Sequence, residues 1–451
     1  MEYALDRFAR EVRDAIIATG RVPAELVEVV APKPNIPADL AFPAFRAAKA
    51  AGMAPPQLAQ ELAVAVTFGE EALVDGVAAA GPFLNFSLDP QRLTALVLAE
   101  IEQLGVRYGS DDLGAGQTIV VDYSSPNVAK TMHVGHIRST IIGQALYNIF
   151  TFLGYRTIGD NHLGDWGTQF GMNIAAVLRW GKPDAEGEEA IAQIDRLYAE
   201  YNRLAKEDPA LMDEARAWSL KLEQGDPTAR ELWQWMVDTT LRANQPNYER
   251  LGVAFDHQYG ESFYADRTEQ TIKDAIDKGL AYRDEKGAVV VAELEKNMPT
   301  FLLQRSDGGT LYHTRDIPAI QYRIEQWDPS QILYVVDARQ ELNFRQLFAL
   351  ARAMDIGQDV TLEHIKFGTI FDQNGQPLST RKGNMIYLED LLDDAHKRAR
   401  AIVDENSPEL SDEEKEQVAE IVGIGSVIYN DLFQDPRRNI TLDWDRMLAL
   451  E

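Results

Sequence analysis

Within seven residues the sequence places Lys130, His133, Gly135 and His136, groups able to handle an anion. Imidazoles three positions apart at the start of a helix can turn toward one ligand and both donate to it. The turn adds to this, because the first amides of a helix are unpaired and carry partial positive charge, which suits phosphate. Gly135 removes a side chain where a nucleotide would approach the backbone. The same His-x-x-His spacing can ligate zinc, although no glutamate follows in the HExxH manner and the chain has no cysteine. Two structural histidines at a helix start are the other reading.

A second group lies far downstream, in Pro377-Leu-Ser379-Thr380-Arg381-Lys382-Gly383-Asn384. Hydroxyls, two cations and a glycine in a loop after a parallel strand can close over a triphosphate. Alone, such a stretch reads equally as a surface hairpin. Trp166 and Gln169, in the turn that starts at Gly164, read as wall and scaffold. Gly423-Ile-Gly425 lies inside a helical pattern rather than after a strand, so it is no dinucleotide fingerprint.

These groups need a frame. Residues 118–123 read as a buried strand running through Ser124-Ser125-Pro126-Asn127 into a helix over 134–153, closed by Gly154. Ile137, Ile141, Ala145 and Ile149 form one stripe, with Ile142, Leu146, Phe150 and Leu153 alongside, a face broad enough to pack on a sheet. A strand resumes at 156–158, giving the β-loop-α-β unit of a parallel nucleotide-binding sheet. Strands at 331–337 and 365–370 flank a helix near 343–354. Between the two halves, residues 176–260 are acidic and helical. A β-rich stretch follows, containing 287–291 and 301–304, with Ser306-Asp-Gly-Gly as its turn. Upstream, helices over 2–19 and from Pro55-Pro56 to Val66, a strand over 81–88, and a helix opened by Asp89-Pro90 form a separate α/β module. The expected architecture is α/β: a Rossmann-like parallel sheet split by an insertion, with an N-terminal α/β module and a C-terminal helical segment. Expected boundaries are 1–110, 116–175, 176–309, 310–387 and 388–451.

Composition bounds the function. The 451 residues are 45% hydrophobic and 25% charged, an ordinary globular profile. No apolar run reaches the length of about 18 residues needed to span a membrane. The N-terminal Ala4, Phe8, Val12 and Ile16 recur every four positions, describing an amphipathic helix rather than a signal peptide. Zero cysteines exclude disulfides and thiol catalysis and fit a reducing cytoplasm. A net charge of −27 argues against bulk attraction to nucleic acid, so any RNA contact must come from local clusters. Candidates are Arg381 with Lys382, then Lys397, Arg398 and Arg400, then Arg437 with Arg438.

Five ordered motifs now fall together: SSPNVAKTMHVGHIRSTIIG at 124–143, NHLGDWGTQF at 161–170, LYHTRDIPA at 311–319, YVVDARQ at 334–340 and LSTRKGN at 378–384. They resemble the arginyl branch of the class I aminoacyl-tRNA synthetases, the first and last being similar to its HIGH and KMSKS signatures. With the N-terminal module, which resembles a domain that grips the outer corner of tRNA, the resemblance covers essentially the whole chain. It implies activation of L-arginine by ATP with Mg2+, then transfer to the 2′-hydroxyl of the terminal adenosine of tRNA(Arg). Lys130, His133, His136, Ser379, Thr380, Arg381 and Lys382 would act in catalysis. His133, Gly135, His136, Phe367 and Gly368 would hold ATP, and no protein metal site is implied. Asp122, Ser125, Asn127, His133, Tyr312, Asp316 and Gln340 would hold arginine; a planar guanidinium is best met by carboxylates. If their segment is helical, Tyr312 and Asp316 share a face.

One departure stands out. Pro377 and Thr380 occupy the positions of the two lysines of the KMSKS pattern, so Lys130 is expected to supply the missing charge, assisted by Arg381 and Lys382. The resembled chains continue past Asp443-Trp-Asp-Arg-Met-Leu into an anticodon-binding domain, and this chain is expected to stop at that threshold. A cytoplasmic monomer without membrane contact is expected. A tRNA-independent ATP-dependent ligase or nucleotidyltransferase, or a non-catalytic arginine- or tRNA-binding protein, are the rival readings.

Overall fold

The computed structural model describes residues 2–372, residue 375 and residues 386–447. Its chain forms two compact units, Met1–Asp112 and Leu113–Glu451.

In the first unit, α1 (Ala4–Ala18) buries the four-residue stripe Ala4, Phe8, Val12 and Ile16. The unit continues through β1 (Leu40–Pro43), α2 (Phe45–Ala51), α3 (Pro55–Ala65), β2 (Val74–Ala80), β3 (Phe83–Leu88) and α4 (Pro90–Leu104). The strands form an antiparallel sheet in the order β1-β3-β2. Phe42, Leu84 and Phe86 from the sheet meet Phe8, Val12 and Ile16 in one core. Asp89 caps α4 by accepting from the amides of Gln91 and Arg92.

The second unit opens with β4 (Thr118–Asp122), α5 (Val134–Phe152) and β5 (Arg156–Asp160). A helical stretch follows: α6 (Thr168–Trp180), α7 (Gly187–Glu207), α8 (Pro209–Glu223), α9 (Pro227–Arg250) and α10 (Thr268–Asp277). A small antiparallel sheet comes next, made of β6 (Ala281–Arg283), β7 (Val289–Val291) and β8 (Phe301–Gln304). The turn at 306–309 folds the chain back after β8, with Gln304 bridged to Thr310. Then come α11 (Tyr312–Trp327), β9 (Gln331–Asp337), α12 (Glu341–Ala353), β10 (Thr361–Phe367), β11 (Ile370–Phe371), α13 (Leu388–Asn406), α14 (Asp412–Leu432), β12 (Ile440–Thr441) and α15 (Trp444–Met447).

The principal sheet is parallel, in the order β10-β9-β4-β5. Its two sequence halves therefore meet at the β4–β9 seam, where Asp122 pairs with Tyr334. All five residues of β4 are buried, as a central strand covered on both faces requires. The strand expected at 365–370 begins earlier, at Thr361, and ends at Phe367. It breaks because Gly368 turns its hydrogen bonds out of the ladder: its amide donates to the Pro436 carbonyl and its carbonyl accepts from Arg138. The chain then pairs as β11 with β12 instead. Gly423 does lie inside a helix, α14, where it packs on the backbone of α13 at Ala395.

α5 lies on the sheet through Gly143, whose α-carbon faces the Tyr123 ring so closely that a Cβ would collide with it. The ring cannot yield, because its hydroxyl is fixed to Gln144 at 3.0 Å and to the Ala254 carbonyl at 2.8 Å. Gly143→Ala should therefore destabilise the fold by about 1–3 kcal/mol, the usual cost of overpacking, as read by denaturant titration.

Candidate active site

The segment joining β4 to α5 is held in an unusual backbone conformation. Ser124, Ser125 and Ala129 all have positive φ, at 70°, 52° and 62°. Such strain persists only where the surroundings over-determine it. Here they do: the Ser124 amide donates to Ser139 Oγ, the Ser125 amide to Asn161 Oδ1 and the Ala129 amide to Thr240 Oγ1, each at 3.0 Å. The Ser125 hydroxyl donates to Asp122 Oδ1 at 3.0 Å.

At the end of this segment the two histidines cap α5. His133 Nδ1 accepts from the Gly135 amide at 3.0 Å, and His136 Nδ1 accepts from the His133 amide at 3.1 Å. A ring that accepts at Nδ1 carries its proton on Nε2. Both imidazoles thus present an Nε2–H donor while satisfying helix amides. Burial, with Lys130 and Arg339 nearby, lowers the His133 pKa to about 4. Burial, then His133 and Lys130, lowers His136 to about 3. Gly135 is needed for this geometry, since a Cβ there would strike the His133 ring. Lys130 is half-buried, its ammonium 5.4 Å from the centre of the Tyr198 ring on α7.

Ser379, Thr380, Arg381 and Lys382 lie outside the described residues. The chain on both sides of them is anchored. Beyond them, the Ile386 carbonyl accepts from the Val134 amide, and the Leu388 amide donates to Met132, each at 3.0 Å. Before them, β11 pairs with β12. The downstream end is thus pinned to the residues that flank His133.

Deeper in, Arg323 on α11 bridges Asp122 Oδ2 at 2.7 Å and Asp160 Oδ2 at 2.8 Å, all three side chains being buried. Asp122 therefore already has a cation on one oxygen and the Ser125 hydroxyl on the other. Asp316, one turn into α11 from Tyr312, lies 3.7 Å from His162 Nε2. Electrostatically Asp122 and Asp316 both act on that imidazole. Tyr312 opens α11 and is exposed, with the Arg315 guanidinium 5.4 Å from its ring centre. Tyr312 and Asn127 line one cavity of about 600 Å³ together with Gln169, Glu261 and Arg315. Glu261 and Arg315 form a buried pair at 3.1 Å, and burial pushes the Glu261 carboxyl up to about 7 against the pull of Arg315. Asp122, Asp316 and His133 do not line this cavity. Gln340 is exposed just after β9, its side-chain oxygen accepting from Asn343. The Phe367 ring is buried in the core beside Arg138, and both backbone groups of Gly368 are spent.

His162, Glu261, Arg315 and Arg323 were not singled out in the sequence. His162 sits inside the 161–170 motif and Arg315 inside the 311–319 motif, so both carry a local signal. Glu261 and Arg323 are tied to their partners only through the fold. Of the basic clusters, Arg400 is committed to Asp404, Asp412 and Glu416, and Arg437 to Asp435. Arg398 lies 4.9 Å from the centre of the Trp444 ring.

Comparison with known proteins follows this geometry. Residues 99–444 match the family described as tRNA synthetases class I (R), catalytic domain, and residues 6–88 match the arginyl tRNA synthetase N terminal domain. The chain is 63% identical over 451 residues to an arginine–tRNA ligase of Chloroflexus aurantiacus, covering all of this chain and 78% of that one. It is 61% identical to the corresponding protein of Chloroflexus aggregans, with the same coverage. The fold is similar to that of arginyl-tRNA synthetase from Plasmodium falciparum, with a TM-score of 0.70 at 20% identity over 99% of this chain and 78% of the other. The Thermus thermophilus arginyl-tRNA synthetase gives 0.69 at 21% identity, covering 98% and 78%.

The capping geometry makes a pH prediction. The folded values of His133 and His136 lie below the usual value of 6.5. Their contribution to stability is therefore fully present above about 6.5 and is lost progressively as pH falls from there toward the folded values of about 4 and 3, where the unfolded chain takes up protons that the folded one refuses. Both rings should show the Nε2–H tautomer by nitrogen NMR and no titration between about pH 6 and 8.

Proposed function

This chain belongs to the arginyl branch of the class I tRNA synthetases, and from that premise we propose how its residues carry out arginine–tRNA ligation. The arginine carboxylate attacks the α-phosphorus of ATP and pyrophosphate leaves. The 2′-hydroxyl of the terminal tRNA adenosine then attacks the carbonyl of the arginyl-adenylate and releases AMP. Both steps move negative charge on phosphate oxygens, so positioned donors and cations supply most of what the protein must provide.

The observation that carries this reading is the pair of neutral imidazoles whose Nδ1 atoms are fixed by helix amides, leaving two Nε2–H donors beside Lys130. A neutral donor needs no proton exchange to bind phosphate at physiological pH. Lys130, close enough to the rings to depress both, adds a full charge at the same place. Ser379, Thr380, Arg381 and Lys382 would close on the triphosphate from the other side. Support for this is the pinning of their downstream neighbours Ile386 and Leu388 to the chain around His133. Gly135 leaves room for the nucleotide, and the backbone around Phe367 and Gly368 would border the adenine.

For arginine, Asp316 is the carboxylate we assign to the guanidinium, with Tyr312 on the preceding turn. Asp122 shapes the site from behind, through Ser125 and Arg323. Ser125, Asn127, His133 and Gln340 would hold the α-amino and carboxylate groups. Magnesium would arrive as the counter-ion of ATP; the residues gathered here are donors and cations suited to phosphate rather than a set of carboxylates, and this fits an ion held by the nucleotide. Among the described residues no helix is long and apolar enough to cross a membrane. A cytoplasmic monomer is the state we infer, with the N-terminal unit contacting tRNA(Arg).

Arginine-dependent exchange of pyrophosphate into ATP tests the reading, run with and without tRNA(Arg). Exchange is expected only when tRNA is present. Equal exchange without tRNA would favour a tRNA-independent ligase, and none under either condition a binding protein. Lys130→Ala should lower exchange by about 10²–10³-fold, the usual effect of deleting one transition-state charge, and leave arginine binding by calorimetry unchanged. An unaltered rate would remove Lys130 from the phosphate site.

A further inference from the structure

The arginine site contains a second ionisable group that the mechanism above does not use. His162 lies between β5 and α6, and both of its ring nitrogens are buried without a hydrogen-bond partner among the described residues. Its Nε2 is 3.7 Å from Asp316 Oδ1, inside ion-pair range yet too long for a hydrogen bond. The ring packs on Tyr264 at 5.7 Å between centres. The charged groups that face it come from every surrounding element: Asp122 from β4, Asp316 and Arg323 from α11, Glu261 from the segment before α10, and Asp165 from its own loop.

The balance of these charges is legible. Burial by itself would strip the proton from the ring, and Arg323 pushes the same way. Asp316 and Asp122 outweigh them and raise the pKa above its usual value. A buried ring with no neutral partner at either nitrogen is better satisfied as a cation beside a carboxylate. Arg323 is held by two carboxylates at hydrogen-bonding distance and has no lower charge state to adopt. His162 has one.

We propose that His162 is a specificity-determining residue of the arginine site: as an imidazolium it stands in for the substrate guanidinium at Asp316, and arginine binding expels its proton to solvent. This rests on the assignment of Asp316 to the guanidinium. The guanidinium stays charged throughout; one N–H bond of the imidazolium breaks, its electron pair remains on the ring, and water or buffer takes the proton. Two cations cannot share one carboxylate in a buried site without repulsion, so the group able to lose its charge does so. A ligand of the same shape without charge leaves the proton in place.

The test is titration calorimetry of the full chain with arginine in buffers of differing ionisation heat near neutral pH. Release of about one proton per arginine is expected, with affinity rising about tenfold per pH unit until His162 is neutral. Citrulline, the uncharged isostere, should release none. His162→Asn should abolish the release and flatten the pH dependence. No release from the unaltered chain overturns the proposal without reference to any variant. Release that persists in His162→Asn also overturns it, and points to Glu261 as the source. Asp316→Asn separates the two layers. Normal arginine affinity in that variant sinks the assignment of Asp316 to the guanidinium, whereas lost affinity in the variant beside absent proton release from the unaltered chain sinks only the inference about His162.

Discussion

One buried guanidinium fixes the positions on which everything else in the catalytic unit depends. Arg323 reaches from α11 to Asp122 at the end of β4 and to Asp160 at the end of β5. These carboxylates lie where two adjacent parallel strands finish, the edge at which open α/β sheets bind ligands. Two uncompensated carboxylates there would push the strand ends apart, and a guanidinium at 1% exposure with no partner would be as costly. Breaking a buried pair by removing one member costs about 3–5 kcal/mol, because the survivor is left charged and dry. The pair is thus weak evidence for net stability and strong evidence for geometry. It ties α11, the helix that also carries Tyr312 and Asp316, to the ends of β4 and β5.

From that fixed edge the strained segment after β4 becomes understandable. Three residues with positive φ, none of them glycine, would each be unfavourable in isolation. Side chains from α5, from the end of β5 and from α9 meet their amides one by one. What the strain provides is a tight path from the strand to the capped start of α5. That path lets Ser125 reach back to Asp122 while His133 and His136 turn their Nε2 atoms outward. The same helix extends the coupling. Arg138, two residues beyond His136, is buried and bonds Asp431 and the carbonyls of Gly368 and Arg438. The two halves of the unit are joined through these polar contacts as well as through apolar packing.

Much of this was legible in the sequence, and the reason is periodicity. The apolar stripe of α5, the buried run of β4, the Asp89-Pro90 start of α4 and the four-residue pattern of α1 are local signals, and each element lies close to its expected place. Local signals failed where bonding is long-range. Nothing around Gly368 announces that β10 must end there, since the carbonyls and donors that divert it come from Arg138 and Pro436. Arg323 is separated from Asp122 by 201 residues and from Asp160 by 163, and it lies beyond the 311–319 motif that marks the start of its helix. For the basic clusters a linear reading shows only the charges of Arg400 and Arg437, and the fold adds the acidic neighbours beside them.

A common feature connects these cases. Each carboxylate at the heart of the site already has a basic partner of the chain's own: Arg323 for Asp122, Arg315 for Glu261 and, when protonated, His162 for Asp316. In a chain of net charge −27, unpartnered acids at one sheet edge would attract any cation without discrimination. Internal cations remove that generic attraction and leave a demand for shape. The guanidinium of a ligand must then do better than the resident partner, which favours a planar fork over a compact ammonium. The resident cations also differ in kind. Arginines hold their charge at every accessible pH and serve as permanent structure, whereas an imidazole can give its charge up. Of the three carboxylates, Asp316 is the one whose partner can give up its charge without moving, and its side chain is the least buried of the three.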